Sequence, residues 1–153
     1  MPALEPGLVP NSTSGDSGLF LLDTNILVCA WDASDRDKSG IARDLIRRAV
    51  DGEGVVAASI PGEFAAVLLH KVRPRGSAPD VLAALDSLSA IRVVESGAGL
   101  VRRAVEAHRT YGIHFYDGMI VASAERAGCA RIYTEDLNHG QRYFGVEATD
   151  PFR

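Results

Sequence analysis

The stretch Leu19-Phe20-Leu21-Leu22-Asp23-Thr24-Asn25-Ile26 decides the fold. Four apolar residues run into an acid, a hydroxyl and an amide, and a second apolar segment, Ile26 to Trp31, follows at once. A short unbroken apolar run suits a strand buried on both faces in a parallel sheet. Thr24 is placed to cap a helix that begins near Asn25. A carboxylate at the end of a buried strand is costly to desolvate unless a cation or a hydrogen-bond network receives it. Taken alone, Asp23 reads equally well as a helix cap or as a ligand.

The same arrangement recurs outward from this stretch. A helix is predicted from Lys38 to Val50 with Ile41, Leu45, Ile46 and Ala49 on its apolar face and Arg43, Arg47 and Arg48 mostly opposite, stopped by Asp51-Gly52-Glu53-Gly54. Val55 to Ala58 is the second strand, and Pro61 fits the first turn of the helix after it, which carries Glu63. Arg73-Pro74-Arg75-Gly76 breaks the chain before a short amphipathic helix from Pro79 to Leu88. Ile91 to Val94 is the third strand. The next helix, Gly99 to Tyr111, is predicted to turn Leu100, Val101, Ala104 and Val105 inward and Arg102, Arg103 and Arg109 outward. Asp117 opens a segment, Met119 to Ala124, that is apolar on nearly every side and so reads as a central helix ended by Gly128. Arg131 to Thr134 is the fourth strand, with Glu135 and Asp136 at its carboxyl end, and Val146 to Thr149 adds a short edge strand.

Strands alternating with helices or helix pairs give an α/β architecture. Three layers are expected, α/β/α, around a mainly parallel sheet of four or five strands. The 153 residues fit one domain, assigned to 19–153. Residues 1–18, rich in Pro, Gly, Ser and Thr, are expected to be a flexible arm without the basic start and apolar block of a signal peptide. No apolar run is long enough to cross a membrane. Cys29 and Cys129 form no C-x-x-C pair and read as free buried thiols. A net charge of −4 excludes a globally basic surface, while leaving room for a local basic rim.

Several motifs fall short of their patterns. Asp32 to Asp37 misses the spacing of a calcium loop and reads as a solvated turn and helix start. Gly97-Ala98-Gly99 would need a third glycine where Arg102 stands, so no dinucleotide fingerprint is complete, and no phosphate loop of the G-x-x-x-x-G-K-[ST] kind is present. His70, His108, His114 and His139 lack metal-ligand spacing and read as surface or packing residues.

Four acids remain: Asp23, Glu63, Asp117 and Asp136. Three follow the carboxyl ends of strands and the fourth opens the buried helix, and that edge of an open α/β sheet is where sites are built. Convergent carboxylates repel one another until a hard divalent cation relieves them. Two such ions roughly 4 Å apart suit phosphodiester cleavage by water. Each acid read singly could still be a cap or a solvated charge.

Leu22-Asp23-Thr24-Asn25-Ile26, Ser59 to Glu63, Tyr116-Asp117-Gly118-Met119-Ile120-Val121-Ala122 and Tyr133-Thr134-Glu135-Asp136-Leu137-Asn138-His139-Gly140 resemble the motifs of PIN-domain nucleases. Within that family the chain is most similar to VapC-type toxins of toxin–antitoxin pairs. The resemblance spans Leu19 to Phe152 and implies an endoribonuclease dependent on Mg2+ or Mn2+, while the composition and the lack of a signal segment or membrane span lead one to expect it in the cytoplasm. By motif position, Asp23, Glu63, Asp117 and Asp136 are the catalytic acids, with Asp23 and Asp117 the direct metal ligands. Asn25 and Thr134 would orient carboxylates or water, and Glu135 is an alternative to Asp136. The implied partners are an RNA substrate, a second copy of the chain, and a cognate antitoxin that fills the active-site groove, giving a heterotetramer or larger assembly. That groove is expected among the apolar side chains of the helices from Asn25 and Lys38. Arg47, Arg48, Arg102 and Arg103, with Lys71, Arg73 and Arg75, are candidates to hold RNA phosphates or antitoxin acids. Gly118 departs from the alanine usual in the motif and is expected to loosen its helix start slightly. The rival reading is a catalytically silent PIN domain that binds RNA or a partner.

Overall fold

In the computed structural model, residues 18–153 are described; the expected N-terminal arm lies, except for Gly18, outside them. The chain runs β1 (Phe20–Leu22), α1 (Thr24–Trp31), α2 (Arg36–Arg48), β2 (Gly54–Ala57), α3 (Ile60–His70), α4 (Ala78–Leu88), β3 (Arg92–Val94), α5 (Ala98–Tyr111), α6 (Phe115–Ala127), β4 (Arg131–Tyr133), β5 (Arg142–Tyr143) and β6 (Val146–Thr149). The six strands form one sheet in the order β3-β2-β1-β4-β6-β5. All neighbours pair in parallel except β5 and β6.

The sheet is larger than the four or five strands expected. Val146 to Thr149 is an interior strand between β4 and β5, and the edge is the two-residue β5. A two-residue strand has too little periodicity to be seen in sequence.

The strand order sets the location of a site. From β1 the chain steps outward through β2 to β3, then returns past β1 to β4. Crossovers between parallel strands are right-handed, so this reversal places the α5–α6 pair on the face opposite α1 to α4. The crevice between β1 and β4 is the switch point where such sheets bind ligands at their carboxyl ends. Phe20, Leu21 and Leu22, the apolar run ahead of Asp23, form the centre of the sheet and are all buried.

Two expectations about helix faces are corrected, and one about Gly118. In α2 the buried residues are Ser39, Ala42 and Leu45, while Ile41 is 40% exposed. The face is rotated because the Ser39 hydroxyl and Arg43 Nε both donate to the Ala30 carbonyl, tying α2 to the end of α1. In α5 Leu100, Ala104 and Ala107 are buried, whereas Val101 and Val105 face outward. Small residues line the buried side because α5 lies close against α6. An ideal Cβ on Gly118 would stand 2.5 Å from the Ala104 carbonyl oxygen, so Gly118 is required by close packing of the two helices and is no mere weak point of α6. The thiols are free as expected, Cys129 buried and Cys29 half-buried; burial pushes the Cys129 thiol up to about 11.

Candidate active site

Asp23 leaves β1 at its carboxyl end and is buried. Its Oδ1 accepts from the Thr24 backbone N–H at 2.7 Å, so Asp23, and not Thr24, caps α1. Its Oδ2 accepts from the hydroxyl of Thr134, 2.7 Å away at the end of the neighbouring strand. The pairing is a consequence of register: Leu22 sits opposite Tyr133 in the parallel β1–β4 ladder, and the Asp23 N–H donates to the Tyr133 carbonyl. The residues one step beyond both strands therefore meet.

Thr134 is completely buried and binds three groups. Besides donating to Asp23, its oxygen accepts from the Asp136 N–H at 3.0 Å and from Asn25 Nδ2 at 3.4 Å. Asn25 Nδ2 also donates to Asp136 Oδ2 at 3.1 Å, and Asn25 Oδ1 accepts from the Glu135 N–H. Asn25 and Thr134 thus hold the loop after β4 so that Asp136 faces Asp23. Glu135 points elsewhere: its Oε2 lies 2.9 Å from Lys38 Nζ and its Oε1 accepts from the Cys29 thiol. Of the two neighbouring acids, Asp136 joins the cluster.

The Thr24 hydroxyl, released from capping, donates to Glu63 Oε2 at 2.8 Å and ties the first turn of α3 to that of α1. Asp117 is half-buried in the first turn of α6. His114, expected at a surface or in packing, caps that helix, its Nδ1 accepting from the Tyr116 N–H. The acid three residues after it, at the place a capping box would fill, is the one sequence signal for this role.

Burial pushes the Asp23 carboxyl from 3.8 up to about 6, opposed by the hydrogen bonds from Thr134 and Thr24 and reinforced by the charges of Asp136 and Asp117. Burial also raises Asp117, with Asp136 and Glu63 adding to the rise and His114 opposing it. The four acids therefore share one electrostatic neighbourhood. All donors are hard oxygens, and Asp23 is buried among a hydroxyl, an amide N–H and like charges. Such a set fits a hard divalent cation. Among the described residues, no three His, Cys, Asp or Glu side chains are placed to hold an ion by themselves. A cation bound by one or two carboxylates and otherwise by water, the habit of Mg2+, is compatible with that spacing.

Four of the basic side chains expected at the rim are engaged elsewhere. Arg103 is bound to Glu106 and Glu125, Arg102 lies near Glu106, Arg47 pairs with Asp44, and Arg48 with Glu53.

The PIN domain family model matches residues 20–144. No curated protein sequence matches significantly. Among solved structures, FitAcB from Neisseria gonorrhoeae is similar at 16% identity and a TM-score of 0.60, covering 88% of this chain and 99% of that one. Mycobacterium tuberculosis VapC20, described as a sarcin-ricin loop cleaving toxin, is 19% identical with a TM-score of 0.60, covering 76% and 89%. VapBC2 from Rickettsia felis, bound to a DNA fragment from its promoter, is 17% identical with a TM-score of 0.59, covering 85% and 96%. At these identities the structures speak for the fold, while the family match begins at the strand that leads into Asp23 and runs past Asp136. The chain belongs to the PIN domain family.

Proposed function

We propose that this protein is a metal-dependent endoribonuclease of the VapC-like toxin kind, which hydrolyses RNA phosphodiester bonds and is silenced by a cognate antitoxin. The observation that carries the reading is the meeting of Asp23, Asp117 and Asp136 at the switch point of the sheet, where burial and mutual repulsion raise Asp23 to about 6. Asp23 and Asp117 would hold Mg2+ or Mn2+. When bound, such an ion supplies Lewis-acid stabilisation of phosphoryl oxygens and makes water a stronger nucleophile. Thr134 and Thr24 hold the two oxygens of Asp23 in fixed directions. Asn25 does the same for one oxygen of Asp136, and the Thr24 hydroxyl for Glu63, so these three acids are oriented before a cation arrives. No covalent nucleophile is part of the proposal, and water attacks directly.

The partner reading has its own support. An open depression of about 360 Å³ lies between Ala30, Trp31, Arg43 and Ile46, where α1 meets α2. Trp31 is 40% exposed there, and an antitoxin segment with an apolar anchor would cover it. A homodimer, or a heterotetramer with antitoxin, in the cytoplasm completes the proposal. No helix among the described residues is long and apolar enough to cross a membrane.

The test is cleavage of RNA by purified protein with Mg2+ or Mn2+, abolished by EDTA and by Asp23→Asn in a folded variant. Full cleavage by Asp23→Asn would overturn the assignment. The rival reading, a silent RNA-binding module, has one observation in its favour: no ready three-residue metal group stands among the described residues. Calorimetry that finds no Mg2+ or Mn2+ binding at millimolar concentration would decide for it.

A further inference from the structure

The nuclease reading leaves a prominent group beside the acids without a role. Tyr116 is 63% exposed, more than any other large hydrophobic side chain among the described residues, and it immediately precedes Asp117. Exposed aromatic rings usually swing freely, but this one is braced. His114 stacks on it, with centroids 5.7 Å apart and planes 24° from parallel. Phe115 meets it edge-on at 5.3 Å and is itself packed against the small cluster of Leu100, Ala104 and Ala122.

The brace is anchored in the backbone. His114 Nδ1 accepts from the Tyr116 N–H, and His108 Nδ1 lies 2.6 Å from the Ile113 carbonyl oxygen just upstream. Gly112, in the left-handed region at φ 68°, ends α5 and starts this short connection. An aromatic ring is thus presented to solvent in a set direction, on the first turn of the helix that carries Asp117.

The charge balance indicates what such a ring is for. The acid cluster repels phosphates, and Lys38, Arg48 and Arg103 are engaged with carboxylates. These three cations are thus partly neutralised by neighbouring carboxylates. Stacking of a base on an aromatic face carries no such penalty and is a principal means of gripping single strands. We infer that Tyr116 is the stacking surface for an unpaired base of the RNA, next to the phosphate presented to Asp23 and Asp117. The inference rests on the nuclease reading and adds to it a residue that sets affinity and base preference. Because stacking strength grows with ring area, a purine is preferred over a pyrimidine at that position.

The experiment is fluorescence anisotropy of labelled single-stranded oligo(A) and oligo(U) RNA with the full chain in Ca2+, a hard oxygen-binding cation in place of Mn2+, with the strand shown intact by gel after each titration, for wild type, Tyr116→Phe, Tyr116→Leu and Tyr116→Ala. Wild type binds oligo(A) more tightly than oligo(U). Tyr116→Ala weakens oligo(A) binding by roughly tenfold or more and removes the preference, Tyr116→Leu falls between, and Tyr116→Phe stays within about twofold of wild type. Thermal melting and the Mn2+-dependent rise in melting temperature stay as in wild type for all three, since the ring is exposed and off the ligands. Unchanged binding by Tyr116→Ala overturns the inference while leaving the nuclease reading intact. Equal losses for Phe and Ala overturn it too, by assigning the contact to the hydroxyl. If wild type binds neither intact RNA in Ca2+, the RNA reading of the site fails and the inference with it.

Discussion

The Thr134 hydroxyl donates to Asp23 Oδ2 across 2.7 Å, joining residues 111 positions apart at the ends of adjacent parallel strands. The same oxygen accepts from the Asp136 N–H and from Asn25, so one buried threonine orients two acids. Thr134→Val keeps the shape and removes all three bonds. Metal affinity and cleavage rate are expected to fall about 10- to 100-fold, as for other groups that orient ligands. Thr134→Ser, which keeps the hydroxyl, should recover most of the activity; calorimetric titration with Mn2+ and single-turnover cleavage measure both.

Asp23 links activity and stability in opposite directions. Its folded value of about 6 lies above the 3.8 of the exposed residue. Between these values the folded protein holds a proton that the unfolded chain has released, so this group's contribution to stability falls as pH rises through that window and stays low above it. Asp23→Asn should therefore stabilise the metal-free protein at pH 7.5, with a ceiling of ~3 kcal/mol reduced by the hydrogen bond that Asn cannot reproduce at one oxygen. Denaturation in EDTA at about pH 4, 5, 6 and 7.5 checks this: the difference from wild type should grow between roughly pH 4 and 6 and then level off.

Divalent metal should reverse that order. Mg2+ or Mn2+ that binds the folded chain raises its melting temperature as ligand excess grows. The rise is expected in wild type and absent, or several-fold smaller, in Asp23→Asn and Asp117→Asn. Melting curves with and without EDTA decide it, independently of any RNA substrate.

Glu135 and Asp136 are neighbours with different surroundings. Glu135 is tied to Lys38 in an ion pair whose side chains are 31% and 40% exposed, a kind worth little. Asp136 is held by Asn25 against the cluster. Glu135→Gln should leave cleavage within about twofold of wild type, whereas Asp136→Asn should lower it by ~10-fold or more. The reverse ranking in cleavage assays would show that the loop turns over in the working enzyme.

Gly118→Ala tests the helix contact behind Asp117. Helix propensity alone favours alanine by about 1 kcal/mol. The added Cβ would lie 2.5 Å from the Ala104 carbonyl oxygen, and backbone cannot yield as a side chain does. A net destabilisation of about 1–3 kcal/mol is expected, read by urea denaturation, with a loss of activity as Asp117 shifts with its helix.

Much of this was legible in the chain because local rules were strong. The apolar run of Phe20 to Leu22, the proline-started helix at Glu63, and the all-round apolar helix after Asp117 each admit few alternatives. Helix faces were less legible. Ile41, Val101 and Val105 are apolar but lie outside, because α2 is turned by its bonds to the Ala30 carbonyl and α5 must present small residues to Gly118. A pattern of hydrophobicity contains neither constraint.

By itself the sequence determined an α/β chain with acids at strand ends and helix starts, since strand burial and helix capping act over a few residues. Tertiary structure alone decided which of those acids meet. The parallel register of β1 and β4 puts Thr134 beside Asp23, and the reversal of strand order opens the crevice between them. The Lys38 pair turns Glu135 away while Asn25 draws Asp136 in. Desolvation and mutual repulsion, which make the cluster a site for cations, exist only after these distant residues are brought close to one another.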